Sequence, residues 1–490
     1  KLIFPLIAVI LIIIVGLGKS IPSELAPLED RSQVTIRTTA PEGATFEYVR
    51  DYTSKISLIA DSVVPERESN ITRVWGSSGN INMILPDIRE RERSQMEIAD
   101  ALSDAVRNET AGRAFVQQES TFGGRRGGMP VQYVLQATNI DKLREFIPPF
   151  MEKVEQSSVF RMSDVNLKFT KPEIRIHLDR DKAALLGVNT RDIAQTLQYA
   201  LSGQRMGYFY MNGKQYQILG EINRQQRNTP LDLRSIYIKN ARGEMIQMDN
   251  LVKLEEAVAP PQLYRYNRFS SATVSAALAP GYTLGEGLGE MDRISREVLD
   301  ETFRTALSGE SKEFKESSSS LIFAFGLAIV LIFLVLAAQF ESFKDPLIIM
   351  LTVPLAVGGA LIFMYFTGVT MNIFSQIGMI MLIGLVAKNG ILIVEFANQR
   401  QDGGIPKLEA VLGASVQRLR PILMTSFSTI LGMLPLVFAS GEGANGRIAM
   451  GVAVVGGMLV STLLTLLVIP IMYIYMATDR KARELKNKDA

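Results

Sequence analysis

Six stretches of this chain are close to charge-free over lengths that match a lipid bilayer: Leu2–Gly18, Leu321–Phe340, Pro346–Thr367, Ile373–Ala397, Pro421–Ala439 and Ile448–Ala477. At 1.5 Å of rise per residue, about 20 apolar residues cross a hydrocarbon core of about 30 Å, so each stretch qualifies as a transmembrane helix. The turns that separate them carry Gly, Pro, Asn and charged residues, as at a membrane surface. Averages hide this arrangement. Over 490 residues the net charge is +2 and 47% are hydrophobic, yet most of the charge falls between Lys19 and Lys315. The chain is a polar body flanked by membrane segments, and a single soluble domain is excluded. The first stretch has the length of a signal-peptide core, but Lys1 alone precedes it and a second membrane block follows, so it reads as a retained span. The sequence opens at Lys1 rather than methionine, directly in an apolar run, so further chain is expected upstream.

If the spans alternate, the short-loop cations Lys344, Arg400, Lys407, Arg418 and Arg420 share one side with the basic tail from Arg480, while the opposite short loops hold Arg447. The positive-inside rule then places both termini in the cytoplasm and the large polar segment outside. Composition also removes function classes. A near-neutral chain with no Lys/Arg cluster interleaved with aromatics gives no case for nucleic acid. There is no cysteine and one histidine, His177, so a metal site would need an almost all-carboxylate shell. A Ser-His-Asp triad would have to recruit that histidine, which lies on the polar face of an alternating strand, and no nucleophile elbow accompanies it. No metal, cofactor or catalytic set is expected.

Within the body, short strands alternate with amphipathic helices. Val34–Thr39, Asn80–Leu85 and Ala114–Gln118 read as strands, Ala44–Val63 and Gln95–Asn108 as helices, the latter with Met96, Ile98, Ala99, Leu102 and Val106 inward. After a Gly-rich loop, Gly123–Gly128, the pattern restarts with strand Val131–Gln136, helix Lys142–Gln156 and strands Ser163–Phe169 and Glu173–Leu178, which predicts two split βαβ units. The loop lacks the Gly-Lys-Ser/Thr ending of a phosphate loop. The turn Ala40–Thr45 recurs loosely as Ala279–Thr283 before another helix and suggests an internal duplication. Between Met206 and Glu255 lies a β-rich insert with a hairpin turn at Asn212-Gly213 and alternating Tyr208, Tyr210, Tyr216 and Ile218, suited to contact rather than catalysis.

The most informative residue is Lys388, inside the fourth apolar stretch. A charge at the bilayer centre costs about 2.5–3.5 kcal/mol on insertion scales and marks function by default. Snorkelling is the ordinary alternative, but about 13.5 Å of helix separates Lys388 from Ala397, roughly twice the reach of a lysine stem. Glu395 shares its face yet lies about 10 Å along the axis, too far for a direct pair. The other spans hold no Asp or Glu at comparable depth, so a partner carboxylate is expected on a polypeptide outside this sequence. Arg418 and Thr425 share one helical face, with Arg420-Pro421 at the span's entry. Singly, the arginine reads as an interface anchor and the threonine as a hydroxyl bonded back to its own helix; together with Lys388 they look like the edge of a proton path. Gly457 to Ser461 forms a small-xxx-small face for close helix packing.

Several segments carry a resemblance: Gln339–Pro346, Gly384–Phe396, Arg418–Ser426 and Leu431–Leu436, together with Leu186-Gly187-Val188 and Arg265-Tyr266-Asn267. They resemble the C-terminal half of a resistance-nodulation-division (RND) efflux transporter of the hydrophobe/amphiphile type, over essentially the whole chain. The resemblance implies an α+β membrane protein: half of a twelve-helix bundle, ferredoxin-like βαβ porter subdomains and a β-rich docking insert. Residues 1–18 would be the family's seventh span, 19–129 the first porter subdomain of this half, 130–205 and 260–317 the second, 206–259 the docking insert, 318–477 spans eight to twelve, and 478–490 a cytoplasmic tail. It further implies a homotrimeric drug/proton antiporter of a Gram-negative inner membrane that exports hydrophobic or amphiphilic compounds through a periplasmic adaptor and an outer-membrane channel. In the family, the lysine matched by Lys388 pairs with two aspartates of the fourth span, here expected in the N-terminal half of the same transporter. Asn389, Arg418 and Thr425 would complete the relay. The family's switch loop corresponds to Trp75–Asn80, with Trp75 and Ser77 as candidate substrate contacts, and Phe122 and Gly123 stand at the candidate pocket entrance. Two other readings share the architecture. The 21 methionines point to a metal-efflux relative, although no stacked ladder of them stands out. A non-transporting membrane assembly module would be marked by a partner chain lacking carboxylates opposite Lys388.

Overall fold

The computed structural model describes residues 3–118, 128–223, 233, 236–260 and 262–478. The first apolar stretch is the helix α1 (Ile3–Ser20). The chain then enters a sheet layer in the order β1 (Gln33–Thr39), α2 (Phe46–Val63), β2 (Ser69–Trp75), β3 (Ser78–Ile84), α3 (Gln95–Arg107) and β4 (Arg113–Gln118). The strands lie side by side as β2-β3-β1-β4, all antiparallel. Alternation decides which face is covered: Val34, Ile36, Ile81 and Met83 point under the helices and meet Ile56, Ala60, Ile98 and Leu102. Thr45 caps α2, and a reciprocal Ser94–Glu97 capping box starts α3.

Three expectations change here. Strand β2 escaped the sequence reading because its residues are mostly exposed and show no clean alternation. With it in place, Trp75–Asn80 is a tight hairpin: Trp75 ends β2 opposite Ser78, and Gly76 takes the positive φ (52°) that the turn needs. Met96, assigned inward, is 40% exposed, since the covered stripe of α3 runs through Gln95, Ile98, Ala99, Leu102 and Val106.

A second layer repeats the element order: β5 (Val131–Ala137), α4 (Ile140–Gln156) and β6 (Phe160–Val165). An insert follows, comprising β7 (Lys171–Leu178), α5 (Arg180–Leu185), α6 (Thr190–Leu201), β8 (Gln204–Met211), β9 (Lys214–Gly220), β10 (Tyr237–Lys239), β11 (Met245–Gln247) and β12 (Val252–Ala259). The layer resumes with β13 (Tyr264–Tyr266), β14 (Phe269–Leu278), α7 (Leu284–Val298) and β15 (Arg304–Leu307). Strands β14, β5 and β15 are neighbours in that order, and β6 and β13 both pair with β14. The expected strand Ser163–Phe169 is shifted to Phe160–Val165. Glu173–Leu178 is a strand, β7, but its ladder partner is β12. The duplication therefore lies in topology, and the recurring turn is not its marker: Thr45 opens the first helix of one layer, Thr283 the second helix of the other.

Residues Lys168–Gln262 form a compact unit of their own. Its core gathers Val188, Ile193, Leu197, Ile238, Met248 and Leu251. Asn212 and Gly213 adopt positive φ (53° and 72°) and close the β8–β9 hairpin as expected of a primed turn. That hairpin leaves Tyr208, Phe209, Tyr210, Tyr216 and Ile218 exposed. His177 meets Glu255 at 2.7 Å across the β7–β12 ladder on an exposed face.

The remaining helices are α8 (Gly309–Phe340), α9 (Lys344–Met350), α10 (Thr352–Thr367), α11 (Ile373–Asp402), α12 (Lys407–Val437) and α13 (Ala444–Met476). With α9 and α10 as one near-continuous segment, six helical segments among the described residues are long and apolar enough to cross a membrane. Helix α13 packs centrally, and small residues set its distances: a Cβ on Gly457 would lie 2.9 Å from the Ala356 carbonyl of α10, and one on Gly456 2.3 Å from Phe363. The helix of the fifth span begins at Lys407, before the apolar stretch that opens at Pro421, so Arg418, Arg420 and Pro421 all lie within α12. The Arg-Pro pair looked like an entry because a residue before proline disfavours helix; inside a bundle, neighbouring helices tolerate the break.

Candidate functional site

Helix α11 places Lys388 at its midpoint, on a face this chain leaves uncovered. Ile377 and Met381 are exposed above it, a Cβ on Gly384 would meet open space, and Glu395 and Gln399 follow below. These positions are three, four or seven residues apart and so form one stripe. Among the described residues none forms an ion pair with Lys388. Glu395, the candidate on its own helix, instead accepts a hydrogen bond from Gln399 Nε2 at 2.9 Å.

Asn389 is one residue away, which turns it about 100° around the helix and into the interior. It is 2% exposed, and its Nδ2 donates to Ser426 Oγ of α12 at 3.2 Å; Thr462 Oγ1 of α13 reaches the same Ser426 oxygen at 3.2 Å. This buried triad pins α11, α12 and α13 together directly behind Lys388. The buried hydroxyl Oγ1 of Thr465, one turn further along α13, has no hydrogen-bond partner among the described residues.

Arg418 and Thr425 do not join that triad. The Arg418 guanidinium lies over the Phe396 ring of α11, 4.5 Å from its centroid, and its buried Nε has no hydrogen-bond partner among the described residues. Thr425 Oγ1 turns back to the Ile422 carbonyl of its own helix at 3.2 Å, the bland arrangement for a threonine in a span. Ser426, Thr462 and Phe396 were missed as site residues. A small hydroxyl in an apolar run is an available signal, but which hydroxyl faces a neighbour depends on helix rotation, which the sequence does not display.

Elsewhere, Trp75 is half exposed at the end of β2, and the Ser77 carbonyl accepts from Ala40 N–H at 3.0 Å in the hairpin turn. These two belong to the sheet layer and not to the α11–α13 cluster. Phe122 and Gly123 lie outside the described residues. Among the described residues there is no group of three or more His, Asp or Glu side chains placed to hold a metal ion.

Residues 1–477 match the family model described as the AcrB/AcrD/AcrF family. An uncharacterized transporter of Haemophilus influenzae is 31% identical over 477 residues, covering 95% of this chain and 46% of that protein. The multidrug/solvent efflux pump membrane transporter MepB and the toluene efflux pump membrane transporter TtgB, both of Pseudomonas putida, are each 31% identical over 493 residues, covering 96% of this chain and 46% of theirs. The chain thus spans about half the length of the curated relatives it matches. With a multi-pass helical bundle, sheet-rich soluble parts and this match along nearly its whole length, the chain belongs to the AcrB/AcrD/AcrF family of RND efflux transporters.

Proposed function

We propose that this chain is the C-terminal half of a proton-driven antiporter that exports hydrophobic or amphiphilic compounds. One observation carries the reading: Lys388 stands at mid-span on an uncovered helix face, with no ion partner among the described residues. An ammonium at that depth demands a carboxylate, so the N-terminal half must lie against α11 and supply it, as an aspartate pair. Protonation of that pair releases Lys388. The lysine's altered pairing shifts α11 against the bundle, and the Asn389–Ser426–Thr462 triad carries the shift into α12 and α13. Arg418 contributes positive charge at the edge of the same path.

The two sheet layers, the first running β-α-β-β-α-β and the second the same with the short extra strand β13, serve as ferredoxin-like porter subdomains in the periplasm. The hairpin β8–β9, with aromatic side chains exposed on both faces, belongs to the docking insert and needs a protein partner to cover it. The assembly is a homotrimer in a Gram-negative inner membrane, joined through an adaptor to an outer-membrane channel. The test is Lys388→Ala in the complete transporter. Export is expected to vanish while assembly survives; export at the unaltered rate overturns the reading.

A further inference from the structure

The segment Ile21–Asp30, which leads from α1 into the first sheet layer, does more than connect them. Helix starts leave backbone N–H groups without intrahelical partners, and this segment supplies acceptors to the N-termini of α3, α7, α11 and α13. The Leu25 carbonyl accepts from Ile373 N–H, the first residue of α11, at 3.2 Å. Around it, Glu24 N–H donates to the Met371 carbonyl at 3.1 Å, and Met371 N–H to the Pro22 carbonyl at 2.9 Å. The Glu29 side chain, 4% exposed, accepts from Gly446 N–H at 2.9 Å and Asn445 N–H at 3.4 Å through its two carboxyl oxygens, which makes it a side-chain cap of α13. The same segment grips both sheet layers. The Ser23 carbonyl takes Gly285 N–H of α7 at 3.0 Å, and the Asp30 carboxylate takes Gln95 N–H of α3 at 2.9 Å while pairing with Arg91.

A covalent linker needs none of these contacts. Here the segment holds the outer end of the helix that carries Lys388 and that of its central neighbour α13, and one helix from each sheet layer. Gly285 permits one of these approaches, since a Cβ there would sit 2.4 Å from Ser23 Oγ and 3.2 Å from the Ser23 carbonyl oxygen. Contacts made through oriented backbone donors resist sliding, so a displacement of α11 or α13 is passed on rather than absorbed.

We infer that Ile21–Asp30 is the strap through which movement in the membrane bundle reaches both sheet layers, and that Glu29 is a positioning residue for transport. This rests on the proposed coupling of Lys388 to export. The test compares, in the complete transporter reconstituted in liposomes, Glu29→Ala, Glu29→Gln, a Gly-Gly insertion between Ala26 and Pro27, and Lys388→Ala. The readouts are export per folded molecule, apparent KM for substrate, and the rise in proton flux on adding substrate. Glu29→Ala and the insertion are expected to lower export at least tenfold with KM within twofold, and to abolish the substrate-stimulated proton flux. Glu29→Gln, whose single amide oxygen still accepts one of the two N–H groups, keeps more export than Glu29→Ala. Unaltered export per folded molecule in both the alanine and the insertion variants, or flux that still responds to substrate, overturns the strap. Continued export by Lys388→Ala would instead overturn the antiport reading beneath it, so the two failures are distinct.

Discussion

Lys388 and Asn389 are chain neighbours with opposite fates, because a helix turns each residue about 100° from the last. The lysine faces outward and is exposed; the asparagine faces inward and donates to Ser426. The charge of Lys388 was legible from sequence, since hydrophobicity around a cation is a local property. The role of Asn389 was not, since it needs Ser426 and Thr462 from other helices. Glu24 offers a residue-scale test outside the membrane. Burial raises its carboxyl above the ordinary value of 4.5, and the hydrogen bond from Thr370 Oγ1 only partly offsets this. The fold therefore favours the protonated form: that contribution is full below the ordinary carboxyl value and is lost as pH rises through Glu24's own higher one. Glu24→Gln should match the unaltered protein in thermal midpoint near pH 4 and exceed it at pH 7. A higher midpoint for the unaltered protein at pH 7 would contradict this.

At the scale of elements, apolar length located all six spans and alternation located β1 and β3 to β9, while β2 and β13 to β15 went unread and the helix of the fifth span proved longer than its apolar stretch. Two of these differences have plain physical causes. An exposed edge strand carries no alternation to read, and a proline inside a packed helix resembles a boundary when its neighbours are unknown. The small-residue face of α13 was legible from Gly457 and Ser461, and the structure shows what it accommodates. A Cβ at Gly457 would approach Leu382 Cδ2 to 2.2 Å and the Ala356 carbonyl oxygen to 2.9 Å. The leucine tip can rotate away, but the α10 backbone cannot. Gly457→Ala should cost about 1–3 kcal/mol by overpacking and lower the thermal midpoint. Gly432→Ala on α12, where a Cβ meets nothing within 4 Å, should be neutral or stabilising by the higher helix propensity of alanine. Equal midpoints for the two variants would show that α10 and α13 do not set their spacing at Gly457.

At the scale of the whole molecule, α1, α8 and α12 bury little of their surface, and the Lys388 stripe of α11 is open to any completing half. The chain by itself should insert into liposomes yet give no proton-coupled export, and co-expression with a half bearing mid-span carboxylates should restore it. Export by the isolated chain would require a proton acceptor that α11 does not face.

The sequence by itself determined where helices long and apolar enough to cross a membrane lie, and that a cation sits at mid-span in one of them with no carboxylate of its own helix close enough to pair with it, because these follow from local hydrophobicity and helix pitch. Only the tertiary structure decided which face of α11 stays open, which hydroxyl meets Asn389 and how Ile21–Asp30 binds bundle and body. Such contacts join groups as far apart as Glu29 and Gly446, 417 residues along the chain, and depend on helix rotation and packing that no local pattern records.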